Sequence, residues 1–220
     1  MSKPLVSVLT VTRRTGWEEV AEQSLMRQTF KDFEWIVVSE NEVSVPYIPA
    51  PKTDKVSNLS ASNNEGLRAC QGEYVIFYQD FIDLPPDCFE KIMKLVDPTT
   101  FVTTLTINPD GSPDLRGEIG QGVKEVVPEY WEENVGAAPM GVIKYLGGYD
   151  EDYDNGWAWN NCNLACRAAL MGCRFILDQS NNPILLPHDT TKIKNMNGEF
   201  HTQRMRDIED GLFPLRLEYL

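Results

Sequence analysis

Four apolar runs, spaced by segments of helical period, fill the first 107 residues, and their order limits the possible folds more than any other feature. "PLVSVLTVT" (4–12), "FEWIVVS" (33–39), "EYVIFYQ" (73–79) and "TFVTTLTI" (100–107) are rich in β-branched and aromatic residues, as strands covered on both faces are. Between them, 16–28 sets Trp17, Val20, Ala21, Ser24, Leu25 and Gln28 on one side of a helix. A second helix is expected over about 58–70, closed by Gly72. A third is entered through proline over 85–97, with Asp87 in its first turn favouring the helix dipole. Strand and helix in strict alternation predict an α/β fold: an open, mainly parallel sheet with helices on both faces. Ligands of such sheets lie outside the carboxyl ends of the strands. The third run ends in "YQDFID", so Asp80 and Asp83 arrive where a ligand would sit. The second half is less regular. It is turn-rich over 108–122, with a helix expected at about 160–172, a strand at 174–178, and then a short last strand and a polar segment.

Bulk properties narrow the function. At 220 residues, with 42% hydrophobic and 24% charged content, the chain is expected to form one soluble domain. No run of about eighteen apolar residues occurs, and the N-terminus passes directly into a strand without a leader pattern, so a cytoplasmic protein is expected. Five cysteines, an odd number, suit free thiols better than a disulfide framework. The formal net charge of −13 repels nucleic-acid backbones and argues against a general polyanion binder. No G-x-x-x-x-G-K-[ST] loop is present. In so acidic a chain a divalent cation, Mn2+ or Mg2+ on carboxylates, is the economical holder of a diphosphate.

Several stretches together resemble family 2 glycosyltransferases of the GT-A fold, over about 1–105 and 139–190. "VSVLTVTRR" resembles that family's opening strand and donor loop, and "QTFKDFEWIVVSEN" its second strand, which usually ends in an acid that reads the nucleoside base. "SASNNEGLRACQGEYVIFYQD" resembles the helix and strand leading to its Asp-x-Asp metal motif. "GGYDEDYDNGWAWNNCNLACRAALMG" resembles its acceptor-side motif. The resemblance implies a Rossmann-like, mixed and mainly parallel sheet flanked by helices, in a single domain over 1–220. Residues 1–107 would be the nucleotide-sugar half and 108–220 the acceptor half with a C-terminal closing segment. The implied activity is metal-dependent transfer of a sugar from a nucleotide-diphosphate donor, a UDP-sugar favoured, to a soluble acceptor hydroxyl. The acceptor would be a glycan precursor, a protein or a hydroxylated nucleobase in DNA. Because the sequence is short for this family, it is expected to do without the C-terminal helices or membrane anchor by which members reach lipid-linked acceptors.

Residue by residue, the resemblance implies that Thr10, Thr12, Arg13, Ser39, Glu40, Asn64 and Gln79 line the donor site. Lys192, Lys194 and Arg204 would lie in a segment closing over it. Asp80 takes the last acid of the metal motif and Tyr78 stands at the first, with Asp83 and His188 as further ligands; capping, loop and structural roles compete for all three. Trp131, Trp157, Trp159 and Tyr130 fall in the acceptor half, where indole faces stack on sugars or bases or simply pack the core. The family's acidic pair, which holds the general base, falls on Asn160 and Asn161 ahead of Arg167, and an amide takes no proton at neutral pH. Three explanations compete. Asp150, Glu151, Asp152 or Asp154 is the base; or the chain is an Asp→Asn variant or takes an acceptor already deprotonated; or it is a catalytically impaired nucleotide-sugar-binding protein. A nucleotidyltransferase would carry glycines near the first strand that "TVTRRTGW" lacks. DNA as acceptor would require Arg13, Arg14, Lys192, Lys194, Arg204 and Arg206 to gather on one face.

Overall fold

The computed structural model describes residues 3–114, 122–188 and 197–220. The described residues form an eight-stranded sheet in the order β3-β2-β1-β4-β8-β6-β9-β7. Its strands are β1 (Val6–Thr12), β2 (Phe33–Ser39), β3 (Ile48–Pro49), β4 (Tyr74–Tyr78), β6 (Thr100–Thr104), β7 (Val123–Glu125), β8 (Val135–Pro139) and β9 (Arg174–Asp178). A short antiparallel ribbon pairs β5 (Ile82–Asp83) with β10 (Ile184–Leu185). Among the described residues there are also helices α1 (Glu18–Arg27), α2 (Leu59–Ala69), α3 (Cys88–Met93), α4 (Met140–Leu146), α5 (Asn160–Leu170) and α6 (Gly198–Glu209), with two 3-10 turns at Pro128–Tyr130 and Glu151–Asn155.

The four apolar runs are the strands β1, β2, β4 and β6, and the parallel pairing of β1 with β2 and β4 aligns their carboxyl ends. Alternation along β4 sends Ile76 and Tyr78 into one core and Val75 and Phe77 into the other, one under each helical layer. Each such fully buried aromatic or branched side chain stabilises the fold by about 2 kcal/mol. Gly66 lets α2 lie close on the sheet, because a Cβ there would run into the Leu9 side chain.

The sheet is mixed and mainly parallel, as the resemblance implies: β8 runs antiparallel between β4 and β6, and β7 antiparallel to β9. Several other expectations needed correction. Strand β8 reads VGAAP, with little β propensity, and its glycine is there for packing: a Cβ on Gly136 would collide with the Glu132 carbonyl. The run 100–107 is strand only to Thr104, and the proline-entered helix is Cys88–Met93 rather than 85–97. Val20, assigned to the inner face of α1, is 39% exposed, whereas Glu18 is buried. Helices α4 and α6 were not anticipated. α6 is mostly polar and buries only His201, Arg204 and Ile208. The free thiols are as expected, four of the five buried.

Candidate functional site

The carboxyl ends of β1 and β2 open into a cleft of about 590 Å³ bounded by Arg13, Ser39, Glu40, Tyr47, Lys52 and Trp157. A second recess of about 190 Å³ shares Arg13, Glu40 and Trp157 with it, and adds Thr12, Arg14, Ser62, Gln79 and Phe81. The tips of β1 and β2 are tied by Glu40 N–H donating to Thr12 O at 3.1 Å and Asn41 Nδ2 to Arg13 O at 2.6 Å. Ser39, buried, donates to Asn41 O at 2.7 Å. The Ser62 hydroxyl is buried and has no partner among the described residues, although Ser62 lines the recess.

The floor is built around Asp80. Its carboxylate is fully buried; Thr12 Oγ1 donates to Oδ2, and Arg14 Nη1 lies 2.9 Å from Oδ1. Arg14, about a third exposed, also holds its guanidinium carbon 4.9 Å from the Phe81 ring centroid, while the Arg13 guanidinium lies over Trp157 at 4.8 Å. His188 stacks on Phe81 at 4.0 Å and pairs its Nδ1 with Leu186 O at 2.9 Å.

Of the expected donor residues, Thr12, Arg13, Ser39, Glu40, Gln79 and Asp80 meet at this cleft or in its floor, but two do not. Thr10 is buried within β1 and accepts a hydrogen bond from Trp35 Nε1 at 3.1 Å. Asn64 is buried in α2, where it donates to Tyr149 O at 3.0 Å and Glu151 Oε1 at 2.9 Å, and accepts from Tyr149 N at 2.8 Å. It anchors the acidic turn instead of a ligand. Lys192 and Lys194 lie outside the described residues.

The expected metal ligands do not assemble. Asp83 turns to α1, where Arg27 and Ser24 bind it, Ser24 at 2.6 Å. Asp80 has both oxygens engaged, and among the described residues no three His, Cys, Asp or Glu side chains stand together as a cation site. A divalent ion therefore does not fit the side chains as they stand: the charge beside Asp80 is already a guanidinium.

The acidic turn is structural. Asp154 is buried and caps α2, accepting from Ser60 N at 2.8 Å, Ala61 N at 3.0 Å and Ser57 Oγ at 3.2 Å. Asp150, also buried, accepts from Asp152 N at 3.0 Å, and burial raises its pKa against the opposing pull of Arg204. Arg204 Nε lies 3.2 Å from Asp150 Oδ2, close enough for an ion pair without hydrogen-bond alignment, and Arg204 Nη2 is 2.6 Å from Asp152. Arg204 is thus buried and paired rather than closing over the donor or joining Arg13 and Arg14 on a basic face. Asn160 is buried at the start of α5 with its Nδ2 unpartnered among the described residues, and Asn161 donates to Trp131 O at 3.2 Å. Arg167 is wholly buried, donating to Asn163 at 2.9 Å and to the carbonyls of Leu146 at 2.9 Å and Gly148 at 2.5 Å; burial lowers its pKa to about 10.

The three tryptophans separate. Trp131 is fully enclosed and donates to Val102 O at 3.2 Å, so it is core and not an acceptor platform. Trp157 is a cleft wall. Trp159 has a φ of 69° and stacks on His201 at 4.9 Å. Sequence reasoning overlooked Arg14 as a site residue, as well as Ser62 and the 47–58 stretch; the pair "RR" after β1 was the available signal.

No protein-family model and no curated protein matches the sequence. Solved structures do match its fold. S. aureus TarS 1-349, in complex with UDP-GlcNAc, aligns with a TM-score of 0.64 at 13% identity over 84% of this chain and 59% of its own. GalNAc-T7 with UDP, GalNAc and Mn2+ gives 0.68 at 13% identity, over 94% and 48%. The mannosyltransferase PcManGT from Pyrobaculum calidifontis, with GDP-Man and Mn2+, gives 0.59 at 15% identity, over 93% and 61%. The chain therefore spans about half to three fifths of the length of these proteins.

Proposed function

We propose that this chain, whose fold is that of the GT-A glycosyltransferases, binds a nucleotide-diphosphate sugar in the cleft at the ends of β1, β2 and β4 and transfers its sugar to an acceptor hydroxyl. The observation that carries this is the convergence on one cleft of Arg13, Arg14, Glu40, Trp157 and the Ser62 hydroxyl, which has no partner among the described residues. Glu40, exposed on the cleft wall, is suited to read the hydrogen-bonding edge of a nucleobase, and Trp157 to stack on it, while the Ser39 hydroxyl is spent on Asn41. The diphosphate needs a counter-charge. The manganese named with two of the structural neighbours is one source, and the guanidinium groups already on the cleft wall are another. The ligands of the neighbours, UDP-GlcNAc, UDP and GDP-Man, support a nucleotide-sugar donor and leave uridine and guanosine both in play. The acceptor, a glycan precursor or a hydroxylated base, would approach by the N-terminus of α5, beside Asn160 and Asn161.

A second possibility, a nucleotide-sugar-binding protein of the same fold, is favoured by one specific observation. The α5 start carries amides, and Asp150, Asp152 and Asp154 are each held in an ion pair or a helix cap. The test is release of nucleoside diphosphate from UDP- and GDP-sugars, measured beside nucleotide binding. Binding with slow release supports a transferase. Binding without release, in the presence of candidate acceptors, identifies a binder, and no binding removes the cleft assignment.

A further inference from the structure

A departing nucleoside diphosphate gains negative charge as the sugar leaves, and the protein must meet it with a fixed positive charge. The cleft floor already contains one. Asp80, the carboxylate expected to hold a metal, has a donor from inside the protein on each oxygen, the Thr12 hydroxyl on one and the Arg14 guanidinium on the other. Its side chain is fully buried whereas that of Arg14 is about a third exposed, so Arg14 is the member of the pair that meets the cleft. Thr12 Oγ1 also accepts from Arg14 N at 2.9 Å, so one hydroxyl links the arginine backbone to the carboxylate that holds its side chain. A guanidinium presents five N–H donors in a rigid plane matched to phosphate oxygens. Here one nitrogen is bonded to Asp80, and the others have no hydrogen-bond partner among the described residues. The Phe81 face fixes the plane from a further side at 4.9 Å.

We propose that the donor diphosphate is held without a metal, by the guanidinium of Arg14, and that Asp80 is a positioning residue for that arginine. The proposal rests on the nucleotide-sugar site described above. Arg13, restrained over Trp157, supplies a second cationic group on the same wall. The three expected metal positions are consistent with this division. Asp80 orients Arg14, Asp83 binds Arg27 on the α1 side, and His188 lies against Phe81.

The test is calorimetric titration of UDP, GDP and dTDP into the full chain, once with EDTA and once with manganese, on the wild type, Arg14→Gln, Arg14→Lys and Asp80→Asn. Affinity of the wild type for the preferred nucleotide should agree within about twofold between EDTA and manganese. Arg14→Gln should weaken it about tenfold or more in both, as loss of a charge-assisted contact does. Arg14→Lys should recover part of that loss, because it restores the charge without the fork. Asp80→Asn should weaken it by a smaller factor, equally with and without manganese. Manganese raising wild-type affinity tenfold or more, with Asp80→Asn abolishing the gain, would overturn the proposal and leave the nucleotide site intact. The wild-type comparison alone decides this if a variant fails to fold. No binding of any of the three nucleotides in either buffer would remove the nucleotide site and the proposal together.

Discussion

Arg14 and Asp80, 66 residues apart in sequence, meet with Nη1 at 2.9 Å from Oδ1, the carboxylate wholly out of water. Removing one partner of a buried pair leaves an uncompensated charge. Arg14→Ala should therefore destabilise the fold by about 3 kcal/mol at neutral pH, read as a lower urea midpoint at unchanged slope. A loss below about 1 kcal/mol would class the contact with exposed surface pairs.

Asp154 joins the acidic turn to α2 by accepting from Ser60 N and Ala61 N. Asp154→Ala should cost about 1–2 kcal/mol in thermal or urea unfolding, as loss of a helix cap does. Asp154→Asn, which keeps one acceptor oxygen, should cost less and retain donor turnover. A drop in turnover of about a thousandfold at unchanged stability would instead make Asp154 a catalytic base.

Trp157 forms the wall shared by the two parts of the cleft, with Arg13 over its ring at 4.8 Å. Trp157→Ala should weaken nucleoside diphosphate binding about tenfold, in line with the roughly 1–3 kcal/mol that stacking of a base on an aromatic ring contributes. The same substitution should barely move the melting temperature, since the side chain is only partly buried. Unchanged affinity would place the base elsewhere on the cleft.

Glu133 is buried beside the end of β4, accepting from the Tyr149 hydroxyl at 2.5 Å, and burial raises its pKa from 4.5 to about 7. The folded chain thus keeps a proton that the unfolded chain gives up between these values. Its contribution to stability is complete below about 4.5 and lost as pH rises through about 7. The loss amounts to about 3 kcal/mol across the window, at about 1.4 kcal/mol for each pH unit between the two values. Glu133→Gln should flatten that part of the stability profile measured by urea unfolding from about pH 5 to 8. A slope unchanged by the substitution would assign the titration to another group.

Local pattern carried much of the fold. Strands β2, β4 and β9 lie where their apolar runs place them, and α2 falls within a residue of each expected end, because burial on two faces or one stripe writes its period into neighbouring residues. Strand β8 escaped for the opposite reason. Its Gly136 answers to the Trp131–Glu132 segment packed beside it, not to any period of the strand's own.

The chain's own residues, read in order, determined the α/β class, the parallel alignment of β1, β2 and β4, and the end of the sheet at which a ligand would lie. They also delivered Asp80, Arg13 and Glu40 to that end, because a strand's direction fixes which residues follow its last buried side chain. Only the tertiary structure decided what the charged groups do there. Asp80, Asp83, Asp150 and Asp154 look alike as acids in a turn, yet they bind Arg14, Arg27, Arg204 and the first turn of α2. A hydrophobic period is a local signal, whereas a carboxylate takes whichever donor the packed fold brings within about 3 Å, here from 54 to 94 residues away in chain order.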